Sequence, residues 1–287
     1  MPIRFASQCA AYYVNLRVNL KMDLPTRRET VLGLFDRLRR QRAGLSQFKR
    51  YQNEFALETD PSADPVSAAA KQEWVAVRRT SVRAGSICPP EWDEAYALHS
   101  SVIECAPYFL DISPLDIESV EVLLGFDLPA RGNHDAIICN ALMAGTPMAQ
   151  LAAASGRNAP PNSRVFTPVD CQPIFGFALN DASDLQAHIE VKTRSSRRSQ
   201  TNNSGDGGGG NGGGGFGNGD DDSSRGPESH ISLYLIVRRF GPFADVATLP
   251  AMLGEIRTAA HDLLDTYVEP NILTPIREEI AAAGWRP

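Results

Sequence analysis

Hydrophobic and polar residues alternate from Tyr12 to Met22, with Val14, Leu16, Val18 and Leu20 on one side and Asn15, Arg17 and Asn19 on the other. A period of two predicts a half-buried strand. The period then lengthens. Thr26 followed by Glu29 has the spacing of a capping box. Behind it Val31, Leu34, Phe35 and Leu38, with Leu45 at the far end, form a helical stripe. Tyr51, Phe55 and Leu57 suggest a returning strand, residues 61–70 a polar loop, and Trp74 to Arg83 a further strand. Pro89-Pro90 leads into a second helix with Trp92, Ala95, Tyr96, Val102 and Ile103 on its apolar face, and Pro107 is the expected end. Val120 to Leu128 alternate strictly, and the apolar run Asp135 to Met143 reads as a second strand, so the pair predicts a hairpin.

The small, proline-containing stretch Leu151 to Ser163 divides the pattern into an N-terminal half, 1–150, and a C-terminal half, 151–287. In the second half, Val165 to Leu179 reads as one broken strand, confined by Pro168 and Pro173 to an edge or a bulge. Leu185 to Val191 alternate as a half-exposed strand, and Ile231 to Phe240 is apolar on both faces, as a central strand is. Between these last two strands, residues 195–229 contain GDGGGGNGGGGFGNGDDDSS, which has almost nothing to bury and reads as a flexible hairpin tip. Leu249 to Val268 carries the longest helical stripe, running through Met252, Leu253, Ile256, Ala260, Leu263 and Leu264 to Tyr267. Thr274-Pro275 opens a short last helix and Gly284 closes it. Strands outnumber helices and several join directly. The expected fold class is therefore α+β, with antiparallel or mixed sheets, helices packed on one face, and strand–helix–strand units that recur.

The C-terminal run LYLIV…LPAMLGEIRTAAHDLLDTYVEPNILTPI, with His261-Asp262 and the Thr274-Pro275 start, resembles the end of a sporadically distributed family of uncharacterised bacterial proteins. The resemblance covers about the last fifth of the chain and implies no activity, cofactor or site residue.

Composition narrows the functional classes. No apolar run reaches the length of a membrane span. The N-terminal segment lacks the unbroken apolar core of a signal peptide, which makes the cytoplasm the expected location. The five cysteines show no CxxC spacing and read as reduced thiols. The formal net charge of −6 divides unevenly: residues 1–50 carry eleven Lys and Arg against three Asp and Glu, a net +8, which leaves −14 for the rest. Such a division suits an anionic partner or two faces that meet in a homo-oligomer.

Candidate chemistry is sparse. Arg131 to Ile138, RGNHDAII, contains the GNHD tetrad of calcineurin-like metallophosphatases. The D-x-H and G-D blocks that would complete a two-metal site do not precede it, and Gly132-Asn133 is a good turn dipeptide. The tetrad is therefore read as a hairpin turn. His99 falls on an apolar helical face, and His261 flanks the long helix beside Asp262 and Asp265. No nucleophile, metal-ligand, phosphate-loop or dinucleotide motif is present, and no catalytic, metal or cofactor-binding residue is assigned. Two basic clusters remain as candidate anion or partner contacts: Arg37, Arg39, Arg40 and Arg42 on the first helix, and Arg194, Arg197 and Arg198 at the root of the glycine-rich loop. The preferred expectation is a non-enzymatic, self-associating interaction or assembly protein. The alternatives are a small-molecule enzyme or binder with a site between the halves or at a subunit interface, and an anion or nucleic-acid contact through the basic helix, which is not favoured.

Overall fold

A computed structural model describes residues 8–24, 28–60, 72–147, 167–193 and 230–284. Among these residues nine strands form one antiparallel sheet, in the order β2-β3-β4-β5-β1-β6-β9-β8-β7. The chain runs β1 (Ala11–Leu20), α1 (Arg28–Gln41), β2 (Leu45–Tyr51), β3 (Glu54–Thr59), β4 (Gln72–Arg78), β5 (Ser81–Ile87), α2 (Trp92–Phe109), β6 (Ile117–Pro129) and α3 (His134–Met143). It continues through β7 (Ile174–Ala178), β8 (Leu185–Thr193), β9 (His230–Phe240), α4 (Leu249–Leu263), a π-helical segment (Leu264–Leu273) and α5 (Thr274–Gly284).

The expected α+β class is what the chain adopts, and the register shows why. Phe48, Leu57, Val75, Ala84, Leu16, Val122, Val237, Ala187 and Phe177 are successive partners across the whole sheet, so one face carries an unbroken apolar row. Its inner members are fully buried, each contributing about 1.5–3 kcal/mol where the side chain is large. Helices α2 and α4 pack on this side, against the central strands and each other, and α1 packs on α2. The next row on the opposite face reads Lys49, Ala56, Ala76, Arg83, Arg17, Glu121, Arg238, Gln186 and Ala178. The period-two alternation of β1 is thus repeated strand by strand, and it sorts the two faces.

The strands of residues 1–150 and of 151–287 meet in this single sheet, where β6 pairs with the whole length of β9. The strand expected at Leu185 to Val191 and the central strand expected at Ile231 to Phe240 are β8 and β9, and the proline-bounded strand is the edge, β7. The capping residue Thr26 and the loops 61–70 and 195–229 lie outside the described residues.

Several expectations are corrected. Trp74 to Arg83 is a hairpin, β4 and β5 turning at Arg79-Thr80, and the returning strand around Tyr51 to Leu57 is another, turning at Gln52-Asn53. Asp135 to Met143 is the helix α3, because Asn133 caps it: its side-chain oxygen accepts from Ala136 N at 3.1 Å, with Gly132 at φ +86° turning the chain into it. Pro107 lies inside the last turn of α2, whose end is Leu110 N–H donating to Ala106 O. The long helix does not end before Thr274. It passes into a π segment that contains Pro270 and continues directly into the helix that holds Pro275. Within the π segment Val268 is buried, and Tyr267, expected on the stripe, is exposed.

Candidate interaction surface

Of the four basic residues expected on the first helix, Arg42 lies just beyond its end, and three of the four are paired. Arg39 and Arg40 reach Asp36 at 3.5 and 2.6 Å, one turn back on the same helix. Arg42 is 15% exposed and acts as a clamp, with Nη1 2.6 Å from Glu73 Oε1 on β4 and Nη2 donating to the Glu94 carbonyl of α2 at 2.9 Å. Arg37 is exposed to solvent. Arg194, Arg197 and Arg198 lie outside the described residues.

The histidines occupy separate structural positions. His99 of α2 is fully buried, and its Nε2–H donates to the Val14 carbonyl of β1 at 3.3 Å. Burial, with Arg257 nearby, pushes its pKa down to about 3. His261 of α4 lies 2.7 Å from the Tyr96 hydroxyl of α2, with the Trp92 ring edge-on at 4.9 Å. Burial lowers the His261 pKa and raises that of Tyr96. Beside them Arg257 lies 4.5 Å from the Tyr96 ring centroid and donates to the Tyr96 carbonyl at 2.7 Å and to Ser100 Oγ at 3.0 Å, so this constellation seals the α2–α4 contact. His134, at the first turn of α3, donates from Nε2 to the Ala130 carbonyl at 3.2 Å. Asp135 beside it accepts Cys171 N–H at 2.9 Å and the Thr193 hydroxyl at 2.6 Å, tying α3 to the start of β7 and the end of β8. The tetrad is thus a capped helix start that anchors the outer strands. His99 sits on the helix-covered face and Asp127 on the opposite one, so the two do not share a pocket. Among the described residues no group of three or more His, Cys, Asp and Glu side chains is placed to hold a metal ion.

The opposite face of the sheet carries charges that are joined across strands. Glu54 binds both Arg78 and Arg83, and Glu121 lies between Arg17 at 3.7 Å and Arg238 at 2.6 Å. At one end Asp127 accepts the hydroxyls of Tyr13 and, at 2.6 Å, Ser232, with His230 Nε2 at 3.5 Å. Rings sit close against glycines: a Cβ on Gly85 would meet Trp74 at 2.8 Å, and one on Gly125 would meet Tyr13 at 2.7 Å. These contacts knit neighbouring strands together.

The outermost strand differs from this closed arrangement. All five residues of β7, IFGFA, are exposed, Ile174 at 63%, Phe175 at 48% and Phe177 at 39%. Phe175 and Phe177 continue the apolar rows of the helix-covered face, opposite Ile189 and Ala187. Val191 N–H donates to Pro173 O and Leu179 N–H to Leu185 O. By the alternation of an antiparallel ladder, the polar backbone groups of Phe175 and Phe177 also face β8, and those of Ile174, Gly176 and Ala178 face outward. The two prolines that confined this strand to an edge or a bulge in the sequence stand before it, so neither removes an outward donor. The opposite edge, β2, carries Lys49 and Arg50 and a register shift between Leu45 and Gln47, the usual devices that blunt an edge.

The fold and this surface define a two-layer α+β protein built on one antiparallel sheet with one blunted and one open edge. Comparison with protein-family models, curated proteins and solved structures finds no match. No helix of the described residues is long and apolar enough to cross a membrane.

Proposed function

We propose that this protein is a non-enzymatic assembly protein that works as a self-associated unit, and that β7 is the surface through which it associates. The observation that supports this is the exposure of two phenylalanines and an isoleucine on an edge strand whose outward N–H and C=O groups carry no blunting proline, charge or bulge. Such an edge templates pairing with another strand, where main-chain hydrogen bonds supply the affinity and alternate side chains the specificity. His99, His261, Asp135 and Glu121 support the same reading, since each joins separate elements of the fold.

Size-exclusion chromatography with light scattering tests it. The wild-type chain is expected to run as an oligomer at micromolar concentration, and Phe177→Lys as a monomer with the circular dichroism of the parent. High salt should leave the oligomer intact, because the contact is apolar. A wild-type protein that stays monomeric at every concentration overturns the reading, as does a Phe177→Lys variant that associates as the parent does.

A further inference from the structure

Resting on that reading, we infer that the partner at β7 is a second copy of this chain in one register: antiparallel, with the two-fold axis through Gly176. A two-fold pair of antiparallel strands must oppose residues whose backbone groups point the same way, so the axis has to pass through a residue position and not between two. Only an axis at Gly176 brings all three outward-facing residues into the ladder: Ile174 opposite Ala178 of the second copy, Gly176 opposite itself, and Ala178 opposite Ile174. An axis at Phe175 or Phe177 leaves one of the three unpaired. The side chains agree with this choice. IFGFA is nearly symmetric about its glycine, and the Gly176 axis sets each Phe175 against Phe177 of the other copy on the helix-covered face. The two phenylalanines sit at non-hydrogen-bonded positions, where side chains approach most closely. An axis at Phe175 would set Phe177 against Pro173 instead. Gly176 itself lies beneath the His188 ring, which a Cβ there would meet at 3.0 Å.

An axis normal to the sheet keeps the helices of both copies on one side, joins the two sheets edge to edge, and consumes the edge it uses. Because the β2 edge is blunted by Lys49, Arg50 and its bulge, the assembly closes as a dimer and does not propagate.

Cysteine cross-linking reads the register. Phe175→Cys and Phe177→Cys chains, each with the five native cysteines changed to serine, are mixed, oxidised with copper phenanthroline and mapped by peptide mass spectrometry. The expected product is a 175–177 disulfide between chains, formed in the mixture and several-fold in excess of any 175–175 or 177–177 product. Light scattering of the wild-type chain, run in parallel, should give the mass of a dimer. A dimer in which 175–175 or 177–177 linkage dominates, or in which neither position cross-links, overturns the register and leaves self-association standing. A growing series of masses overturns the closed dimer. A monomer overturns both this inference and the reading beneath it.

Discussion

His99 and Asp135 are both buried polar side chains, and each holds a different part of the fold. His99 lies in the apolar interior between α2 and β1, where a proton on both ring nitrogens is costly, and its pKa of about 3 expresses that cost. The ordinary value of 6.5 holds in the unfolded chain, so below pH 6.5 the unfolded state takes up a proton that the native state refuses. Stability is therefore complete above pH 6.5 and falls as pH drops toward 3. His261, also lowered by burial, acts in the same direction. Between pH 6.5 and about pH 5, above most carboxylate titration, His99 alone should remove about 2 kcal/mol of unfolding free energy. Urea titrations across that window check the slope. His99→Gln keeps an N–H donor and does not titrate, so its stability should depend less on pH by about that amount, whatever its absolute stability. An unchanged slope would mean that His99 is not the group responsible. In the sequence, the apolar face around His99 predicted a buried histidine, and burial is what the fold provides. Its partner, the Val14 carbonyl 85 residues away, could not be read from the chain.

At the scale of elements, α3 shows how a short apolar run misleads. DAIICNALM suits a strand by its β-branched residues, and periodicity does not separate a strand from a buried helix over so few positions. The cap decides between them. Asn133 satisfies a free N–H of the first turn, and Ile137 and Ile138 then fall on the buried side at helical spacing. Asp135 in that turn accepts from Cys171 and Thr193, so one carboxylate secures the entry to β7 and the end of β8. Asp135→Ala should cost about 1–3 kcal/mol by leaving both donors without their acceptor. It should also speed hydrogen exchange at Cys171 while amides in β1 and β6 stay protected. Uniform loss of protection would show that Asp135 supports the whole fold and not its outer strands. The β4–β5 hairpin was hidden for a simpler reason: its turn at Arg79-Thr80 has none of the glycine, asparagine or proline that usually announces one.

For the whole molecule, Thr193 and Ile231 are paired neighbours on β8 and β9, so the 194–229 connection joins strands already in register. Loop closure depends weakly on length, about 0.6 kcal/mol per doubling, and the tract supplies one large apolar residue, Phe216. Deleting Ser199 to Ser224 and closing with a short turn should therefore leave the fold intact, with Tm lowered by less than about ten degrees in a thermal melt. A larger drop would mean that the tract packs on the domain. Dimer mass in the same deletion variant would further show that the β7 edge operates without it.

By itself, the sequence determined the α+β class, the strands β1, β6, β8 and β9 and the helices α1, α2 and α4, because their periodicity is long enough to choose one geometry and one buried face. It also confined the proline-bounded strand to an edge or a bulge. Tertiary structure decided the rest. Which strands become neighbours depends on contacts between residues far apart in the chain, so the single sheet formed by both halves has no local signature. The pairing of Arg42 with Glu73 and Glu94, which occupies a candidate anion contact, depends in the same way on the residue that follows α1 meeting β4 and α2. So does the open edge. IFGFA is apolar in any context, and only the sheet order, which leaves it a neighbour on one side alone, turns those five residues into a surface.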